Sequence, residues 1–245
     1  YAAKVQRAII PKPETLDKVF DEYFVLNKPK DILSGDFYWF HEINENEYYV
    51  ATVDCTGHGV PGAIMSAIGC SLMNEIVLEE DVERPSQILN RLNKKLLGAL
   101  NQHGRSAGAG DGMDIALCRI DKRTNKIVFS GAKRPLYWIH KKRLEVINGD
   151  RFPIGGSQYK PDRRFSDHHL HYDDGDKLYL FSDGYADQFG GPENKKFMIT
   201  QLNEFIEANH HLPMRDQLKK LDATFEAWRG DEEQVDDVCM VGLLV

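Results

Sequence analysis

Short apolar runs, rich in aromatic and β-branched residues, recur along the chain between Gly, Pro, Asp and Asn, the pattern of strands joined by turns. They lie at 23–32, 37–40, 48–54, 115–120, 127–130, 136–140, 144–147, 177–181 and 238–245. The polar stretch 41–47 has the length of a hairpin connection, so 37–40 and 48–54 are expected to pair antiparallel. The runs from 115 to 147, broken at 121–125 and 141–143, read as an antiparallel meander. Helical spacing replaces alternation elsewhere. Residues 63–79 are mostly small or apolar, with Pro61 near the first helical position. From 86 to 102, Ile88, Leu89, Leu92, Leu96, Leu97 and Leu100 recur at near-helical spacing and predict a helix packed on a sheet. Two more helices are expected at 195–208 and 213–228, the second with Leu218, Leu221, Phe225 and Trp228 on one side. Residues 1–10 read as the end of an amphipathic helix stopped by Pro11 and Pro13, with more chain expected upstream. This alternation is too irregular for a doubly wound parallel sheet. An α+β fold of four layers, α-β-β-α, with two stacked antiparallel sheets, fits the order.

Acids sit where these strands end. Asp54 closes the run 48–54 before a turn built on Gly57 and Gly59, and a lone Asp there would merely cap the turn. Three further acids change that picture: Asp36 before the strand at 37, Asp183 after the run 177–181, and the pair Asp236-Asp237 before the last strand. Antiparallel pairing of the first hairpin puts Asp36 beside Asp54. If the acids converge, each ionised pair about 4 Å apart repels by roughly 4 kcal/mol at an effective dielectric near 20. Such a cluster needs protons or cations, and carboxylate oxygens suit Mg²⁺ or Mn²⁺ rather than zinc.

With 245 residues, 42% hydrophobic and 28% charged, the chain can bury the core of one large domain. A formal net charge of -7 gives no electrostatic support to a nucleic-acid partner. Cys55, Cys70, Cys118 and Cys239 lie in apolar contexts without a Cys-x-x-Cys and read as buried free thiols of a reducing compartment. No run of about 18 apolar residues suggests a membrane span. His168, His169 and His171 lack a third ligand nearby and read as an exposed edge strand rather than a zinc site. The loop 101–110 is rich in Gly and Ala, without the Gly-Lys-Ser/Thr of a phosphate cradle, and reads as mobile.

Ser34-Gly35-Asp36-Phe37-Tyr38, Asp54-Cys55-Thr56-Gly57-His58-Gly59-Val60-Pro61-Gly62-Ala63, Phe181-Ser182-Asp183-Gly184 and Val235-Asp236-Asp237-Val238 follow one another in the order of a known family. The chain resembles the PP2C-type (PPM) metal-dependent protein phosphatases in their bacterial, SpoIIE/RsbU-like branch. The resemblance implies the same sandwich fold, with residues 14–245 as the phosphatase domain and 1–13 as the end of a linker or signalling helix. It implies two Mg²⁺ or Mn²⁺ ions: Asp54 bridging, the Cys55 backbone carbonyl on one ion, Asp183 and Asp236 on the other, and Asp36 serving the first directly or through water. Asp237 would orient a neighbour. A weaker third ion would draw on Asp187 with Asp111 or Asp114, positions that read equally as turn-forming acids. The implied reaction is hydrolysis of phosphoserine or phosphothreonine on a regulatory protein, such as a STAS-type antagonist of an anti-sigma factor, by a metal-activated hydroxide. A catalytically silent binding module in signal relay is the alternative. An upstream sensory domain, a homodimer through the N-terminal helix, and a cytoplasmic location within a membrane-anchored sensor complete the expectations. The arginine that eukaryotic relatives use to anchor phosphate has no counterpart here. Lys28 and Lys30 are the candidates, each reading also as a solvated loop residue. His58, between two glycines, fits a turn or proton transfer.

Overall fold

The computed structural model describes residues 1–78, 84–102, 110–156, 158–160 and 162–245. Helix α1 (Ala2–Ile9) and a 3-10 turn (Pro13–Lys18) lead into β1 (Tyr23–Lys28), then β2 (Phe37–Asn44) and β3 (Glu47–Cys55). After α2 (Gly59–Leu78) and α3 (Pro85–Ala99) come β4 (Gly112–Asp121), β5 (Lys126–Ala132), β6 (Leu136–His140), β7 (Arg143–Ile147), the short β8 (Ile154–Gly155), β9 (His168–His171) and β10 (Lys177–Phe181). The chain closes with α4 (Gly184–Asp187), a ribbon of β11 (Phe189–Gly190) and β12 (Lys195–Lys196), α5 (Met198–Asn209), α6 (Met214–Arg229) and β13 (Val238–Leu244).

One sheet has the order β1-β13-β10-β6-β7 and the other β2-β3-β4-β5-β9, with β8 on β4. Their strands look continuously apolar because both faces are covered. Alternate residues serve different layers. Ala51 and Leu117 pack with Met73, Leu89 and Leu92 of α2 and α3. Their neighbours Val50 and Cys118 face Leu178, Leu180, Cys239 and Val241 of the other sheet. Tyr179 and Met240 turn outward to Leu202, Ile206, Leu221 and Phe225 of α5 and α6. Three apolar layers therefore lie between four layers of secondary structure, as the strand and helix order predicts.

Some expected boundaries shift. β2 runs on through His41 to Asn44, so the turn is two residues long and the polar stretch is an exposed part of the ladder. α2 starts at Gly59, inside the glycine motif, and by length and composition it could cross a membrane, with a mean hydropathy of 1.4 over 18 residues. Ser66, Ser71, Asn74 and Glu75 break up its apolar run and hide this from the sequence. Here Met65, Cys70, Met73 and Ile76 are buried in the core. α5 begins at Met198, because 195–196 form the ribbon. Most of the glycine-rich loop expected to be mobile, 103–109, lies outside the described residues.

Candidate active site

The β3–β4 register sets Asp54 directly opposite Asp114. β10 ends at Phe181, and Ser182 then fastens it to β13: its N–H donates to the Cys239 carbonyl and its Oγ accepts the Cys239 N–H, both at 2.9 Å. Asp183 follows at once. Gly184 lets the Asp236-Asp237 segment press close, since a Cβ there would lie 2.0 Å from the Asp237 carbonyl oxygen. Gly57 takes φ +86°, and its carbonyl would lie 2.4 Å and 2.2 Å from a Cβ on Gly35 or Gly62. Four segments thus interlock in two pairs at glycines, and each carries an acid.

Asp54, Asp114, Asp183 and Asp236 line one pocket of about 370 Å³ together with Cys55, His58, Lys133 and Arg134. Asp36 lies beneath it, 3% exposed. Asp237 faces inward, where its carboxylate accepts the backbone N–H groups of Lys30 and Gly35, both at 2.7 Å. These bonds tie it to the loop ahead of Asp36.

Burial is the largest influence on Asp36, Asp54, Asp114 and Asp236. It raises Asp36 well above the ordinary carboxylate range, with repulsion from Asp54 adding to it. It pushes Asp54 up to about 7 against the pull of Arg134, with Asp183 and Asp114 adding to the rise. Asp114 and Asp236 are raised for the same first reason. Arg134 brings a guanidinium among them. Its Nη2 lies 2.7 Å from Asp54 Oδ2, 2.5 Å from Asp183 Oδ2 and 3.5 Å from Asp114 Oδ2. Burial opposes its charge, but the carboxylates of Asp54 and Asp183 push its pKa up. Lys133 Nζ adds a second cation 3.5 Å from Asp114 Oδ1.

A buried donor set of carboxylate oxygens gathered around a cation is the chemistry that hard divalent ions require, and the guanidinium is the stand-in. Arranged around it, no three Asp, Glu, His or Cys side chains among the described residues close on one point as ligands of a single ion do.

Other expected residues fall elsewhere. Lys28 is committed to α6: its Nζ lies 2.6 Å from Asp222 and 2.5 Å from Glu226, so its position does not support a phosphate-binding role. Lys30 reaches the pocket rim, 3.1 Å from His58 Nε2, while Asp31 holds His58 Nδ1 at 2.9 Å. Asp187 pairs with Lys196 at 2.9 Å and does not line the pocket, so of the acids expected around a third ion only Asp114 does. The three histidines lie on β9 at the sheet edge, and all four cysteines are buried and free. The residues that sequence reasoning missed are Lys133 and Arg134. A signal existed: pairing of Ile115 with Ala132 places the residues after 132 next to Asp114.

Residues 44–245 match the family described as Stage II sporulation protein E (SpoIIE). Phosphoserine phosphatase RsbP of Bacillus subtilis (strain 168) is 23% identical over 246 residues, which cover 98% of this chain and 56% of RsbP. The chain therefore spans little more than half the length of that curated relative. The SiaA-PP2C domain of Pseudomonas aeruginosa has a TM-score of 0.90 and 28% identity over 100% of this chain and 94% of its own. RsbX, solved in complex with magnesium, shares the fold with a TM-score of 0.58 and 15% identity, over 91% of this chain and 94% of its own. The interlocked acid loops and these likenesses agree: the chain belongs to the SpoIIE family, in the bacterial, RsbU-like branch of the PP2C-type (PPM) phosphatases.

Proposed function

We propose that this domain is a metal-dependent protein serine/threonine phosphatase that removes phosphate from a phosphorylated regulatory protein. The observation that carries the reading is the gathering of Asp54, Asp114, Asp183 and Asp236 in one pocket around a positive charge. The name of RsbP supports phosphoserine as substrate, and the magnesium in RsbX supports a hard divalent ion. Asp54, the Cys55 carbonyl, Asp183 and Asp236 would hold Mg²⁺ or Mn²⁺, with Asp36 supporting them from below directly or through water. When bound, the ions supply Lewis acidity and a water of lowered pKa.

The chain's own residues have separate tasks. Asp54 and Asp183 present the oxygens that Arg134 faces, and Asp237 holds the loop that carries Asp36. Asp31 fixes the imidazole of His58, whose Nε2 faces the rim beside Lys30, where a proton can pass to the departing serine oxygen. No covalent intermediate is needed. Helix α1 is read as the end of a linker from an upstream sensory module, and Gln6 hydrogen-bonds it to the loop before Asp36.

The test is hydrolysis of p-nitrophenyl phosphate and of a phosphoserine peptide by the purified domain, with Mn²⁺ and after chelation. Turnover that requires Mn²⁺ is expected. Turnover unaffected by complete chelation would remove the metal-dependent reading, and absence of turnover despite tight Mn²⁺ binding would favour a silent binding module.

A further inference from the structure

The turn between β5 and β6 is built to present two cations. Lys133 takes φ +60°, an uncommon conformation for a side-chain-bearing residue, and its N–H donates to the Asp150 carbonyl at 2.7 Å. The Asp150 N–H in turn donates to Gly131 O at 2.8 Å. The Arg134 carbonyl is seated between Gly131 and Gly149, where a Cβ on either glycine would come within 2.3 Å or 2.7 Å of it. The backbone of Arg134 is thus clamped, while its side chain reaches the carboxylate pocket. Its Nε is buried and has no hydrogen-bond partner among the described residues, although Nη2 serves Asp54 and Asp183.

We infer that Arg134 is a two-position residue: counter-ion to Asp54 and Asp183 in the metal-free protein, and donor to the phosphoryl oxygens once divalent ions take those carboxylates. The inference rests on the metal-dependent reading above and names the anchor that Lys28 does not supply. Divalent ions at Asp54 and Asp183 would repel a guanidinium touching the same oxygens, so the side chain must leave them. The clamped backbone keeps it at the pocket. The planar guanidinium fork matches the edge of a phosphate with two parallel N–H donors, and its unpartnered Nε–H is available for one of them. Uptake of divalent ions and of phosphate should therefore be positively coupled through this one side chain.

The test uses calorimetry on the wild-type chain, Arg134→Met and Arg134→Lys. Mn²⁺ is titrated into metal-free protein, then inorganic phosphate into the Mn²⁺-loaded protein. Arg134→Met is expected to bind Mn²⁺ at least as tightly as wild type, having lost the competing cation. With Mn²⁺ bound, it is expected to bind phosphate about tenfold to a hundredfold more weakly. Arg134→Lys should fall between, keeping the charge without the fork. Phosphate affinity within twofold of wild type in Arg134→Met would overturn the inference. So would a loss of Mn²⁺ affinity in that variant, which would make Arg134 a prop for the carboxylates. If circular dichroism shows Arg134→Met unfolded, Arg134→Lys decides alone: unchanged phosphate affinity overturns the inference, and weaker phosphate binding with unchanged Mn²⁺ binding supports it. Failure of wild type to bind Mn²⁺ would remove the underlying reading as well, and is distinguished at the first titration.

Discussion

The side-chain amide of Gln6 pairs with both backbone groups of Ser34: Oε1 accepts its N–H at 3.2 Å and Nε2 donates to its carbonyl at 2.5 Å. The same Nε2 lies 3.0 Å from Ser66 Oγ of α2. Ser34 in turn uses its Oγ on the backbone N–H and carbonyl of Asp36. Helix α1, which buries no residue of its own, is therefore connected by two steps to the acid beneath the pocket. Gln6→Ala should lower thermal stability by about 1 kcal/mol and reduce kcat several-fold with KM little changed. An unchanged kcat would show that α1 docks without supporting the site.

Asp54→Asn and Asp183→Ala remove carboxylates that share one guanidinium. Each should reduce Mn²⁺-dependent turnover of p-nitrophenyl phosphate by at least about two orders of magnitude and weaken Mn²⁺ binding, with circular dichroism unchanged. Retained turnover in either variant would refute its assignment as a metal-holding residue.

The metal-free protein should become less stable as pH rises from about 4 to about 7. Asp54 has its folded-state pKa raised from 3.8 to about 7, so the folded chain binds more protons than the unfolded chain within that window. The contribution is fully present below the unfolded value and is lost as pH climbs through the folded one, with a slope on the order of 1.4 kcal/mol per pH unit while the group titrates. Asp36, raised by the same burial, acts in the same direction. Thermal melts in chelator across this range check the sign, and Asp54→Asn should flatten the slope. Saturating Mn²⁺ should oppose the loss, because ion binding requires ionised carboxylates.

Gly62→Ala should destabilise the fold by about 1–3 kcal/mol and depress activity. The new methyl would lie 2.2 Å from the Gly57 carbonyl and 2.9 Å from Gly35 Cα, both backbone atoms of the interlocked loops. Melting temperature and kcat should fall together. A variant as stable and as active as wild type would show that these loops yield at little cost.

Lys28→Met should leave KM and phosphate affinity within about twofold of wild type, since the ammonium serves Asp222 and Glu226. Stability should change by less than about 1 kcal/mol, because both acids are substantially exposed. A large rise in KM would return Lys28 to the list of phosphate ligands.

Asp36, Asp54, Asp183 and Asp236 were legible because each lies at a strand end, Asp36 and Asp183 directly beside glycine, and the apolar runs that locate those ends, such as 177–181, are covered on both faces. The layers were legible for the same reason. Arg134 was not, although the pairing of β4 with β5 leaves it next to Asp114. Its meaning depends on a reach across the sheet that spacing does not encode. Lys28 is near Asp36 in sequence, but the alternation of β1 turns it toward α6, a helix almost two hundred residues later. Asp187 is four residues along one helical turn from Asp183, far enough to meet Lys196.

The facing of Asp54 and Asp114 across a hydrogen-bonded ladder makes their mutual repulsion a property of strand alignment. Their backbone positions cannot separate without unzipping that ladder. A slip of one residue between these strands would flip one acid to the opposite side and dissolve the cluster. Sensitivity to ions is thereby written into the weave of the main chain, and changes far from any acid that loosen this seam would blunt it.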